Sequence, residues 1–227
     1  MKNKKVFLNE IDKYAKALGK ASVWKNSKEI VNSIKSGENH FVYEFFCYLS
    51  IINDLETNYS IKYVPGNGKN KHRFPKRPVP KKGRPYFIIV NKIKSKKSYQ
   101  VCHGTQIKVK AGNELHAPDI SFQDENANKK VPTAEQVYII MDAKYTDTPE
   151  KSINSSSFDS VVKMVKALDV EDAENEKILF KKYDKFKGNC IITNGKAYKE
   201  EKEYHGIFKI TEVEKFDENQ NFKIKSF

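Results

Sequence analysis

Val137-Tyr-Ile-Ile-Met-Asp-Ala-Lys144 decides how this chain is read. Five apolar residues lead without a turn signal into an acid and a lysine. The short β-branched run predicts a strand buried on both sides. Strand side chains alternate, so Asp142 and Lys144 share a face. Ala143 points to the other face, leaving its carbonyl free to act as a ligand. Burying a carboxylate and an ammonium is costly unless each finds a partner.

An acid-x-lysine triplet means little by itself in a chain with 29 acids and 39 lysines among 227 residues. Two occur, and context separates them. Glu200-Glu-Lys202 sits in KEEKE, which reads as a solvated surface, whereas Asp142-Ala-Lys144 ends an apolar strand. Upstream, His116–Phe122 (HAPDISF) reads as a second apolar strand with Asp119 at its centre. The 23 residues from Asp119 to Asp142 hold a loop (QDENANKKVPTAEQ) and a return strand, so neighbouring strands would set both carboxylates at one sheet edge. Two like charges so placed need a cation. Hard oxygen donors without a His or Cys cluster favour Mg²⁺, with Mn²⁺ as a substitute. Lys144 is then placed to steer an attacking water and to stabilise charge in the transition state.

Outward from this pair the pattern is helical at the start and alternating later. Residues 4–36 read as helix, with Leu8, Ile11, Tyr14, Ala15 and Leu18 at helical spacing, a break at Gly19, and a second helix over Ser27–Ile34. A nearly all-apolar helix follows over Glu38–Asn53. Strands are expected at Tyr86–Lys92, Tyr99–His103, Gln106–Lys110, Asn189–Thr193, His205–Ile210 and Phe222–Ile224. An amphipathic helix covers residues 155–169 and another is expected over Glu171–Phe186. Asn194-Gly195 reads as a hairpin turn. The order predicts an α/β domain, a central mixed β-sheet flanked by helices. One domain is expected over 1–227, with a helical part at 1–56, a Pro/Gly-rich loop or arm at 57–84 and a catalytic core at about 38–195.

Charge placement points to a polyanion. The net charge is +13, yet Thr57–Gly112 contains no acid and fifteen basic residues, among them all three arginines (Arg73, Arg77, Arg84). Such a block favours nucleic acid through counterion release. The residues expected to meet it are Lys69, Lys71, Arg73, Lys76, Arg77, Lys81, Lys82, Arg84 and, from the helix at 155–169, Lys163. Lysine acts on phosphate as a point charge, so this block argues for backbone binding rather than sequence reading. The GNGK segment lacks P-loop spacing. Cys47, Cys102 and Cys190 form no CxxC pair and read as reduced thiols, which with the absence of a signal peptide or long apolar segment suggests a cytoplasmic protein. The five histidines lack zinc-ligand spacing.

Pro118-Asp119 followed by Asp142-Ala143-Lys144, each in an apolar strand and in that order, resembles the PD-(D/E)XK, restriction-endonuclease-like nuclease superfamily. The resemblance implies a restriction-endonuclease-like core and a Mg²⁺-dependent endonuclease hydrolysing DNA phosphodiester bonds, with a role in restriction or phage defence. A glutamate on the helix preceding the strands often joins that family's site, and Glu44, the acid within HFVYEFFCY, matches it. The implied metal site is then Asp119, Asp142, Ala143 and Glu44, with Lys144 catalytic. Cutting both strands takes two active sites, so a homodimer or a partner subunit of a defence system is implied. The alternatives are a non-catalytic nucleic-acid-binding module on the same fold and a structural protein docking an acidic partner.

Overall fold

The computed structural model describes residues 2–20, 24, 27–93, 97–170, 177–198, 209–219 and 222–225. Apolar spacing of about 3.6 residues closes the first helices. Helix α1 (Lys2–Lys20) buries Phe7, Ile11, Tyr14, Ala15 and Leu18. Helix α2 (Ser27–Lys35) buries Ile30, Val31 and Ile34. Helix α3 (Asn39–Leu55) is buried around nearly its whole circumference, as its composition requires.

Among the described residues ten strands follow: β1 (Tyr59–Val64), β2 (Tyr86–Asn91), β3 (Ser98–His103), β4 (Ile107–Lys108), β5 (Leu115–His116), β6 (Ile120–Asp124), β7 (Val137–Lys144), β8 (Asn189–Thr193), β9 (Ile210–Glu214) and β10 (Lys223–Lys225). Eight form one sheet in the order β1-β2-β3-β6-β7-β8-β9-β10, while β4 and β5 pair separately. From β1 to β7 neighbours are antiparallel, β7-β8-β9 are parallel, and β10 returns antiparallel. Helix α4 (Ser155–Ala167) lies in the crossover from β7 to the parallel β8. The architecture is therefore α/β with a mixed sheet, as expected, and the described residues include four α-helices.

The core lies on both sheet faces. Ile139, Met141 and Ala143 of β7 join the cluster built with α1, α2 and α3. Ile140 joins Phe158, Val161, Val162 and Val165 of α4 on the other side. That alternation puts Asp142 and Lys144 on the Ile140 side, as read from the sequence.

Several expectations are corrected. Asp119 is not at a strand centre: HAPDISF is broken, with His116 ending β5, Ile120 starting β6, and Asp119 in the gap. Pro118, which lacks a ladder donor, sits in that gap. Residues 57–84 are not an arm throughout, since β1 occupies Tyr59–Val64 on the sheet edge. The rest folds back onto the domain: Gly66 N donates to Lys71 O at 2.9 Å, Asn67 N to Gly83 O at 3.0 Å, and Gln106 N to Val79 O at 2.8 Å. A Cβ on Gly66 would collide with Gly83 O and Asn70 O, so glycine permits this pinch. Asn194-Gly195 makes no hairpin, because β8 pairs in parallel with β9. Residues 177–186 are not helical. They hold their place because the buried Asp54 accepts from Lys181 N and Lys182 N, both at 2.7 Å. The remainder of that expected helix, the Glu200 triplet, and His205 of the expected strand start lie outside the described residues.

Candidate active site

The site forms at the C-terminal end of β7. In the β6-β7 ladder Ile120 faces Met141, so one step further sets Asp119 across from Asp142. Asp119 Oδ2 accepts the Ala143 N–H at 2.8 Å, which ties the strand break to β7. Asp142 is buried and its Oδ2 forms an ion pair with the Lys144 ammonium. No donor among the described residues gives that oxygen a hydrogen bond of good geometry. Glu44 enters from α3, on the opposite side of the sheet, and is partly buried.

The electrostatics show that these groups share one field. Burial, then Asp142, push the Glu44 carboxyl up to about 7, with Lys144 opposing. Burial also raises Asp119 well above the carboxylate range, reinforced by Asp142 and Glu44 and opposed by Lys144 and the Ala143 amide. Burial pulls the Lys144 ammonium down, but Asp142, Asp119 and Glu44 outweigh it and hold Lys144 above its ordinary value. A cluster with one cation and three mutually repelling acids is short of positive charge, which is the pattern of functional sites.

Two cavities open on either side of Glu44. One, about 330 Å³, is lined by Lys144, Ala143, Lys151 and the start of α4, where Asn154 caps the helix by accepting from Ser157 N. The other, about 260 Å³, is lined by Asp119, His103, Pro75, Lys76 and Arg77. Glu44 and His40 line both. His40, exposed on α3, was missed by sequence reasoning, although its i, i+4 spacing from Glu44 was a usable signal.

The donor chemistry fits a hard divalent cation. Asp119 lies one residue before the β6-β7 ladder and binds the Ala143 amide, Asp142 Oδ2 has Lys144 alone, and Glu44 is within electrostatic reach of both acids. The four expected donors are nonetheless not a preassembled cage: among the described residues no three His, Cys, Asp or Glu side chains stand close enough to hold an ion unaided.

Of the expected phosphate contacts, Lys69, Lys71, Arg73, Lys76, Arg77 and Lys82 are exposed. Arg84 is partly buried, with Nη1 donating to Asn70 Oδ1 at 3.0 Å. All three arginines line a cleft of about 510 Å³ that shares Pro75, Lys76 and Arg77 with the Asp119 cavity. Lys163 is exposed on α4, roughly 9 Å along the helix beyond Ser157, and is not among the cavity residues. Lys81 is a correction. It is 2% exposed, its ammonium donates to Gln100 and to Gln123 Oε1 at 2.8 Å, and burial lowers its pKa. It braces β3 against β6 and does not face solvent. The three cysteines are free and buried, as expected. No described helix is long and apolar enough to cross a membrane.

No family model, no curated protein and no solved structure matches the chain.

Proposed function

We propose that this chain is a Mg²⁺-dependent nuclease, with Mn²⁺ as a substitute, built on a restriction-endonuclease-like core and hydrolysing DNA phosphodiester bonds. The observation that carries this reading is the meeting of Asp119, Asp142 and Lys144 at one strand end with Glu44 in the same field. The order of parts supports the core assignment. A helix carrying an acid precedes the antiparallel strands β6 and β7, Asp119 stands just before the first, the Asp-x-Lys triplet ends the second, and α4 follows into a parallel strand.

In this reading Asp119 and Asp142 hold the ion, and Glu44 and the Ala143 carbonyl complete its surroundings directly or through water. Bound there, the ion supplies Lewis acidity and lowers the pKa of water. Lys144 is held beside Asp142 and presents a fixed positive charge to a phosphate oxygen gaining charge. The Ala143 N–H locks Asp119 in place, so the carboxylate need not reorganise. The exposed lysines and arginines of 69–82 bind the backbone through charge. A cytoplasmic role in restriction or phage defence, as a homodimer or with a partner subunit, is part of the proposal.

The test is cleavage of supercoiled plasmid with Mg²⁺ or Mn²⁺. Wild type is expected to nick or linearise it. Asp142→Ala should lose at least about a hundredfold in rate, as when a transition-state charge partner is removed, and should still bind DNA. Wild type that binds but never cuts would leave the non-catalytic binding module.

A further inference from the structure

The chain has three arginines beside 39 lysines, and all three, Arg73, Arg77 and Arg84, line one cleft of about 510 Å³ together with Lys76. No Asp or Glu lines it. Two of its cations have their head groups fixed, each by a neutral oxygen. Lys76 Nζ donates to Ser36 Oγ at 2.8 Å, and Ser36 Oγ donates in turn to Ser33 O at 3.2 Å. Arg84 Nη1 donates to Asn70 Oδ1 at 3.0 Å. A neutral acceptor orients a cation without cancelling its charge, as a carboxylate would. In a lysine-rich chain a point charge is readily supplied by lysine, whereas the planar fork that grips a phosphate through two bonds is supplied by arginine alone.

Four positive charges around one recess call for an anion of comparable charge. The cleft lies within the roughly 300–1,000 Å³ of drug-sized sites, so it admits about one or two nucleotides. Each backbone diester brings one negative charge and two free oxygens. A terminal monoester brings about −1.5 to −2 near neutral pH and three acceptor oxygens. A monoester with its adjoining diester therefore comes closest to balancing the cleft. The cleft shares Pro75, Lys76 and Arg77 with the cavity of Asp119 and Glu44, so its ligand lies next to the candidate metal site.

We propose that the arginine cleft takes a phosphorylated strand end, with Arg73 and Arg84 on the terminal phosphate and Arg77 and Lys76 on the next diester toward Asp119. The inference deepens the nuclease reading and rests on it for the ligand being the end of a strand. Hydrolysis puts the OH of water on phosphorus and its other proton on the departing sugar oxygen, so each cut leaves one hydroxyl end and one phosphate monoester. The reaction thus makes the ligand of the cleft. A closed circle has no such end, so its first nick is slow and later cuts beside the new end are faster.

The test is anisotropy of the full chain, in chelator, with a labelled single strand of mixed sequence carrying a 5′-phosphate, a 3′-phosphate or hydroxyls at both ends. A hydroxyl-ended strand two nucleotides longer controls for added charge. A phosphorylated end should bind about tenfold tighter than either hydroxyl-ended strand, the low end of the worth of a hydrogen bond to a charged group. The end preferred, 5′ or 3′, identifies the source. Arg73→Lys with Arg84→Lys keeps every charge and removes both forks; it should leave a preference of less than about twofold, with hydroxyl-ended binding near that of wild type. Arg73→Lys alone changes an exposed position and should cost at least about threefold of the preference, which guards against a double variant that fails to fold. Lys69→Gln with Lys71→Gln should weaken all four strands alike. Equal binding of the four strands by wild type, or a preference unchanged in Arg73→Lys, overturns the proposal. Wild type that prefers a phosphorylated end yet never cuts plasmid keeps the cleft and removes the nuclease. Wild type that cuts plasmid while binding the four strands equally removes the cleft and keeps the nuclease.

Discussion

Glu44→Gln tests the electrostatic account of the site through folding stability, with no need of an activity assay. The Glu44 carboxyl moves from 4.5 to about 7 on folding, because burial and Asp142 disfavour its charge. At about 1.36 kcal/mol per tenfold this is about 3 kcal/mol, and water at its partly exposed edge brings the working range to about 1–3 kcal/mol. The sign is opposite to that of a salt-bridged acid. Below pH 4.5 the group is protonated in both states and contributes nothing. Between 4.5 and about 7 the unfolded chain has released the proton while the folded chain retains it, so stability falls as pH rises. Above about 7 the deficit is complete. The glutamine side chain keeps the shape and removes the charge, and it also relieves the repulsion on Asp119. Urea denaturation in chelator should therefore find the variant about 1–3 kcal/mol more stable than wild type at pH 8 and equal to it at pH 4.5. Mg²⁺ should narrow the gap at pH 8 by stabilising wild type through binding. A difference of the same size at both pH values would refute the reasoning, since it would come from packing and not from ionisation.

Three further outcomes follow from single contacts. Asp54→Ala strips the Lys181 and Lys182 amides of their shared acceptor and should cost about 2–4 kcal/mol in urea denaturation, with earlier proteolytic nicking near residue 181. Lys81→Met removes a buried ammonium from Gln100 and Gln123; stability should fall by about 1–3 kcal/mol while the salt slope of DNA affinity is unchanged, and a changed slope would put Lys81 back on the binding surface. Replacing exposed Lys69, Lys71 and Lys82 together with Gln should reduce the slope of log affinity against log salt by about two to three, measured by titration at several salt concentrations.

Much of this was legible in local pattern. The β7 boundaries, the β8 boundaries and the buried α3 follow from short β-branched runs and an apolar helix, signals that tertiary context reinforces. The antiparallel return from β6 to β7 was legible too, because a connecting loop of this length between two apolar runs permits it. What was not legible depended on partners distant in sequence. The break at Asp119 comes from Pro118 and from β5 leaving the main sheet to pair with β4. Residues 177–186 have helical composition in part, but Asp54, more than 120 positions away, takes the Lys181 and Lys182 amides instead. Asn194-Gly195 carries a strong hairpin signal, overridden because β8 lies in the parallel part of the sheet, where the next neighbour is β9.

The sequence by itself determined which residues are charged, which strand delivers an acid and a lysine into the interior, and where positive charge is concentrated, since these are properties of local order and alternation. Only the tertiary structure decided that Lys81 is buried while its neighbour Lys82 is exposed, that the buried His103 lines the cavity at Asp119, and that Glu44 crosses from the helical layer into the field of Asp142. Burial and coupling of this kind belong to groups that the chain brings together across the fold, such as Glu44 with Asp142 or Lys81 with Gln123, which lie far apart in the sequence.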